Sequence, residues 1–254
     1  MARKAAARRG AQAGPPGTAS EVMDALGAHA DPERAVHNTR FFKTGPGEYG
    51  EGDRFLGCRL TDVRAVTRTY KNLPLDQVDV LLDSPFHEHR LVGAILLANR
   101  FRAADTAARA EVLARYLAAL ERGAINNWDL VDVSAAQVLG AGGEEELWRT
   151  LASTGSLWQR RAAAIATFAP LRAGDSGPSL RTARILLHDR HDLIHKAVGW
   201  VVRDVGKVDA AAQRAFLDRW APEMPRTMLR YAIERFPEQD RQHYLRLPRR
   251  PASG

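Results

Sequence analysis

Apolar residues recur three and four positions apart along nearly the whole chain, the period of a helix that buries one face. The clearest runs are Leu91, Ile95, Leu96 and Phe101, then Val112, Leu113, Tyr116, Leu117 and Leu120. Later come Trp158, Ala162, Ile165 and Phe168, and then Ile194, Val198, Val201 and Val205. Ala, Leu, Arg and Glu dominate the composition between them, which suits helices. Capping and breaking residues fall between the runs: Ser20–Glu21, Asp31–Pro32, Thr61–Asp62, Leu73–Pro74, Ser84–Pro85, Gly123, Gly140–Gly143, Gly155–Ser156, Gly174–Pro178, Ala221–Pro222 and Pro237. No stretch sustains period-two alternation. The pattern predicts an all-α protein of about a dozen helical segments, mostly roughly 10–18 residues long, joined by short loops.

Consecutive antiparallel helices in that number suggest stacked hairpins, and pairing the segments gives a repeat of roughly 35–45 residues, the HEAT-like range. The expected architecture is a right-handed α-α superhelix, a solenoid of HEAT-like helical hairpins, with a helical bundle as the competing arrangement. The solenoid is preferred because a curved stack offers a long concave wall to a polymer. Residues 1–17 are basic, low in complexity and Gly/Pro-terminated, and are expected to form a disordered tail; an Arg/Ala-rich start of this kind also resembles a transit peptide. Residues 18–247 are expected to form a single domain, and 248–254 a second loose tail.

Charge points toward a class of partner. The net charge is +7 at an ordinary soluble composition, 45% hydrophobic and 26% charged. Residues 1–17 carry 4 basic groups and no acid, and residues 155–254 carry 18 basic against 10 acidic, whereas the stretch between is net acidic. A positive field concentrated in this way points to a polyanionic partner, nucleic acid ahead of an anionic membrane. No run of apolar residues is long enough to span a bilayer. Cys58 is the 1 cysteine, so intrachain disulfides, cysteine-rich zinc modules and iron–sulfur clusters are excluded, and a reducing, cytoplasmic setting is expected.

Three segments could carry chemistry. In Asn126-Asn127-Trp128-Asp129-Leu130-Val131-Asp132, Trp128 and Asp132 are four apart and share a helix face. A carboxylate beside an indole face suits a cationic transition state; the alternative makes Trp128 a core residue and the aspartate an arginine's partner. In Leu157-Trp158-Gln159-Arg160-Arg161, Arg161 lies at the edge of an apolar face, where it could hold a phosphate or equally a carboxylate. Lys196, Trp200, Arg203 and Lys207 form one stripe, a surface suited to tracking phosphates with one flat contact, and Arg226 and Arg230 extend it. His191 and His195 have the i,i+4 spacing of metal ligands, but without a glutamate after His191 they read as capping or surface residues. Neither metal nor cofactor is expected. Cys58 lacks an activating pattern and reads as a buried thiol. Thr44–Asp53, with its glycines and proline, reads as a turn-rich linker before it reads as a ligand loop.

With those segments placed, the chain resembles the DNA alkylation-repair glycosylases of the AlkD type, which are HEAT-like repeat proteins. The likeness runs from about Phe55 to Phe236. It rests on Phe55-Leu56-Gly57 with Arg64, Ser84-Pro85-Phe86-His87-Glu88 with Arg90, Asn127-Trp128-Asp129-Leu130-Val131-Asp132, Leu157-Trp158-Gln159-Arg160-Arg161, and Lys196-Ala197-Val198-Gly199-Trp200 with Arg203. Their order and spacing together carry the resemblance; the stretch Gly45–Gly52 departs from the family pattern. The resemblance implies a basic concave groove for duplex DNA and hydrolysis of the N-glycosidic bond of cationic N3- or N7-alkylated purines, without base flipping. It implies an active site of Trp128, Asp132, Arg161 and Trp200, flanked by DNA contacts at Arg160, Lys196, Arg203, Lys207, Arg226 and Arg230. A monomer is expected, and a monofunctional one: no lysine accompanies the Trp128/Asp132 pair, so no Schiff-base lyase step is foreseen. The readings from other classes are a HEAT-repeat protein that binds branched or distorted DNA without chemistry and, more weakly, a protein-binding scaffold.

Overall fold

The computed structural model describes residues 17–250; the basic tail up to residue 16 and residues 251–254 lie outside the described residues. The described residues form fifteen helices, in order α1 (Ala19–Gly27), α2 (Pro32–Phe41), α3 (Leu60–Thr69), α4 (Leu75–Leu82), α5 (His87–Ala103), α6 (Thr106–Glu121), α7 (Trp128–Gly142) and α8 (Glu145–Thr154), followed by α9 (Leu157–Ala166), α10 (Phe168–Arg172), α11 (Gly177–Ile185), α12 (Asp192–Val205), α13 (Ala210–Trp220), α14 (Arg226–Ala232) and α15 (Glu238–Arg246). Among the described residues there is no strand, only an isolated bridge between Arg54 and Phe86. The fold is all-α.

Local chemistry explains most boundaries. Thr18 caps α1 and Ser156 caps α9, each in a reciprocal capping box with Glu21 and Gln159, an arrangement worth about 1 kcal/mol per cap. Asp31 caps α2 with Pro32 at its first position, where the missing N–H costs nothing. Some expected boundaries shift. Ser20–Glu21 fall inside α1 and Thr61–Asp62 inside α3, while the Gly140–Gly143 stretch does close α7, which ends at Gly142. The apolar run from Trp158 to Phe168 is broken: α9 stops at Ala166, and Phe168 begins the short α10, where Pro170 supplies no amide to continue the ladder. Short pieces of this kind raise the helix number above that expected.

Helices α3, α5, α7, α9, α12 and α14 pack successively side by side, and α4, α6, α8, α11 and α13 lie behind them, each against a member of the first row. One contiguous apolar core runs between the rows, with Leu97, Ile125, Leu130, Leu139, Ile165, Leu187 and Val198 fully buried. Each such side chain contributes roughly 1.5–3 kcal/mol relative to exposure. Near the end of the described residues the Arg250 amide donates to the Pro222 carbonyl at 3.0 Å, which ties that residue to the turn after α13. Among the described residues no helix is long and apolar enough to cross a membrane.

Two glycines set the approach of elements that matter below. Gly57 has φ +83°, and a Cβ there would stand 2.1 Å from the Asp31 carbonyl, so α2 can dock only against glycine. Gly199 on α12 faces α14: a Cβ would stand 2.5 Å from both the Met228 carbonyl and the Tyr231 Cβ. That closeness carries Tyr231 to the edge of the recess described next.

Candidate active site

The N-termini of α7, α9 and α12 lie on one side of the stack. Between them is a recess of about 490 Å³, lined by Trp128, Asp132, Arg161, Lys196, Trp200 and Arg203, together with Phe41, Lys43, Tyr49 and Tyr231. Residues from five parts of the sequence therefore meet in one place.

A buried polar cluster holds the first wall. Asp53, 2% exposed at its side chain, accepts from Arg90 at 2.6 Å, from Asn126 at 2.9 Å and from Asn127 at 3.3 Å. Asn127 is the cap of α7, and its side-chain oxygen takes the Trp128 amide at 2.8 Å. His87 sits between Asp53, at 3.3 Å from Nδ1, and Asp129, at 2.8 Å from Nε2. Burial opposes charge on His87, but the carboxylates of Asp129 and Asp53 outweigh it and push its pKa up to about 9. Asp53 is likewise held below the usual carboxylate range: burial raises it, and His87, Arg90 and Asn126 overcome that. The cluster is thus a charged clamp on the start of α7, the turn that carries Trp128 and, one turn on, Asp132, with Arg90 Nε left without a partner.

Asp132 meets Arg161 in a two-point fork, Nε to Oδ1 at 3.0 Å and the second terminal nitrogen to Oδ2 at 2.8 Å. The remaining guanidinium nitrogen donates to the Leu193 carbonyl at 2.6 Å. Of the two partners left open for Arg161, carboxylate or phosphate, the carboxylate is the one seen. The fork fixes the orientation of Asp132 but uses only part of its capacity, since a carboxylate has about four lone-pair sites. Asp132 keeps 17% of its side chain exposed to the recess. Burial raises its pKa, Arg161 works against that and Asp129 adds to it, leaving the group above the usual aspartate range. Trp200 leans on Phe168 with ring centroids 4.9 Å apart, and both it and Trp128 are half-buried, each leaving part of its ring open to the recess.

The sequence matches the family of DNA alkylation repair enzymes over residues 22–236. The chain belongs to that family. A predicted DNA alkylation repair enzyme from Enterococcus faecalis has a similar fold, with a TM-score of 0.65 at 14% identity, covering 83% of this chain and 98% of that one. No curated protein matches.

For this DNA alkylation repair family member, Trp128, Asp132, Arg161, Trp200, Lys196 and Arg203 line a single recess. The rest of the basic strip does not. Lys207 lies one turn beyond, bonded to Asp204 at 2.6 Å; Arg226 donates to the Leu245 carbonyl at 2.8 Å; Arg230 is exposed. Arg160 donates to Asp189 at 2.6 Å in an adjoining cleft of about 780 Å³, which shares His191 with the recess and has no Trp, Tyr or Phe in its lining. The stripe on α12 is also less bare than its sequence suggests, because Lys196 pairs with Asp192 at 2.7 Å and Arg203 with Asp204 and Glu234. His191 caps α12 through the Leu193 amide, and His195 bonds the Asp189 carbonyl. Cys58 is buried, its thiol raised to about 12 by burial and the nearby Glu88 and Asp62 carboxylates.

The structure corrects one expectation outright. Lysines do accompany the Trp128/Asp132 pair, since Lys43 and Lys196 line the same recess; sequence spacing hid them because they come from other elements. The glycine-rich stretch is also more than a linker. Glu48 and Glu51 brace it by accepting the Gly45 and Gly47 amides, each at 2.9 Å, and Tyr49 reaches the recess to meet Trp158 edge-on at 5.9 Å. An aromatic within a turn-rich stretch and a lysine just before it were the only signals available.

Proposed function

We propose that the protein is a DNA glycosylase that hydrolyses the N-glycosidic bond of cationic N3- and N7-alkylated purines in duplex DNA, without flipping the base. What carries this reading is Asp132: a carboxylate fixed by Arg161, still partly open, in a recess bounded by the indoles of Trp128 and Trp200. A purine alkylated at N3 or N7 already carries positive charge, so it leaves with little acid assistance. What needs stabilising is the oxocarbenium-like sugar, and an oriented carboxylate with aromatic faces beside it suits a developing cation. The free lone pairs of Asp132 can orient the attacking water, whose proton passes to the carboxylate as its oxygen bonds C1′. On this reading Lys196 and Arg203, cations in the lining of the recess, hold the phosphates flanking such a sugar.

Strand cleavage is not expected. The bond from Lys196 to Asp192 raises the lysine's pKa, against a smaller opposing effect of burial, and so disfavours the free amine that would attack the abasic sugar; Lys43, the other lysine of the recess, is covered by the adduct test below. The test is incubation with duplex DNA containing N7-methylguanine, followed by chromatography of the released base and electrophoresis of the strand. Free 7-methylguanine with an intact strand bearing an alkali-labile site is the expected result. Tight binding of branched or distorted duplexes without base release would instead identify a non-catalytic DNA-binding protein. Borohydride trapping of a protein–DNA adduct would overturn the monofunctional assignment.

A further inference from the structure

Among the described helices, α2 alone buries no side chain. Its inner side is half-buried at Ala35, Asn38 and Thr39, and Val36, His37, Arg40 and Phe41 are exposed. Phe41 and Val36 are each 57% exposed, and His37 stacks on the Phe41 ring at 6.3 Å and 16°. The packing role of an aromatic at this end of α2 is filled by the next residue: Phe42 stacks on Trp128 at 5.4 Å and on Phe55 at 5.1 Å. Phe41 meets Trp128 only edge-on, at 6.1 Å, and its ring stands at the mouth of the recess. Lys43 then takes φ 51°, a left-handed turn that no β-branched residue would tolerate, and this folds the glycine-rich stretch along the recess wall. Among the described residues neither Arg40 nor Lys43 has a carboxylate partner, unlike the cations on α12.

An exposed ring between two unpaired cations is the arrangement by which proteins hold an unstacked base and its flanking phosphates. Two exposed apolar side chains with a cationic rim are far too little area for a stable second copy of the chain. Resting on the reading that the recess takes alkylated DNA, we infer that the outer face of α2 and the turn after it extend the nucleic-acid contact outward from the recess: Phe41 stacks on a nucleobase loosened beside the lesion, and Arg40 and Lys43 hold the adjoining phosphates. Loosening costs least at a damaged position, so this contact selects damaged over intact duplex before any bond breaks.

The test uses the full chain and two duplexes with 2-aminopurine beside the central position, one intact and one carrying a tetrahydrofuran abasic analogue. Wild-type protein is expected to quench the 2-aminopurine and to prefer the abasic duplex. Phe41→Ala, an exposed position, should keep its melting temperature, lose the quenching and lose roughly tenfold of that preference, and Phe41→Trp should restore both. Arg40→Ala and Lys43→Ala should each reduce the log–log salt slope by about 0.9. Unchanged quenching and preference in Phe41→Ala, from a protein that does release 7-methylguanine, overturns this inference alone. Loss of both with no base release by the wild type sustains the contact and overturns the glycosylase reading. A wild type that binds neither duplex overturns both.

Discussion

Asp132 is pulled in two directions. Burial and the neighbouring Asp129 raise its pKa, the Arg161 fork lowers it, and burial prevails. An ionised Asp132 is what opposes a sugar cation and accepts the water's proton, so its titration should limit the rate in acid. Single-turnover excision measured over roughly pH 4 to 8 is expected to fall on the acid side at a pH above the ordinary aspartate value of about 3.9. A profile flat down to that value would remove Asp132 from the rate-limiting chemistry. The pairing of Trp128 with Asp132 was legible in the sequence, because one helical turn fixes it. The Asp132–Arg161 fork was not: the two are 29 residues apart, and either a phosphate or a carboxylate satisfies an arginine at that place.

Between elements, the clamp on the start of α7 depends on charge. His87 joins α5 to Asp53 and to Asp129 on α7 and carries a proton whose pKa rises from an ordinary 6.5 to about 9. The folded state binds that proton more tightly than the unfolded chain does. Its stabilisation is therefore complete below about pH 6.5 and is lost as the pH climbs through about 9, a difference of about 3 kcal/mol at most. Thermal melts at neutral pH and above pH 9 should show this loss in the wild type. His87→Gln should melt lower at neutral pH and show a much flatter alkaline limb; an identical limb in both would place the clamp's charge elsewhere. Helix type and most starts and stops followed from apolar period and capping residues. The clamp itself could not be read, since Asp53, His87, Asn126 and Asn127 lie on irregular segments or helix ends whose spatial meeting no periodicity encodes. The same holds for Tyr49, which a turn-rich stretch carries into the recess.

For the whole molecule, the sequence suggested a basic strip running along the C-terminal helices, and the structure divides it. Lys196 and Arg203 line the recess, whereas Arg226 is engaged with the Leu245 carbonyl and Lys207 lies a turn away. Neutralising Lys196 and Arg203 together should reduce the log–log slope of duplex affinity against salt by about 2, and neutralising Lys207 and Arg226 should leave it unchanged. Equal effects from both pairs would mean that DNA follows the full strip. The central claim is that Asp132, oriented by Arg161 between Trp128 and Trp200, stabilises the sugar cation. The most direct measurement is the single-turnover rate of 7-methylguanine release by Asp132→Asn, normalised to folded protein and to bound duplex. A fall of roughly 10²–10³, or ~3–4 kcal/mol of transition-state stabilisation, with duplex affinity retained, is predicted. A normalised rate equal to that of the wild type, with only thermal stability lost, would contradict it and leave the Asp132–Arg161 fork a structural ion pair.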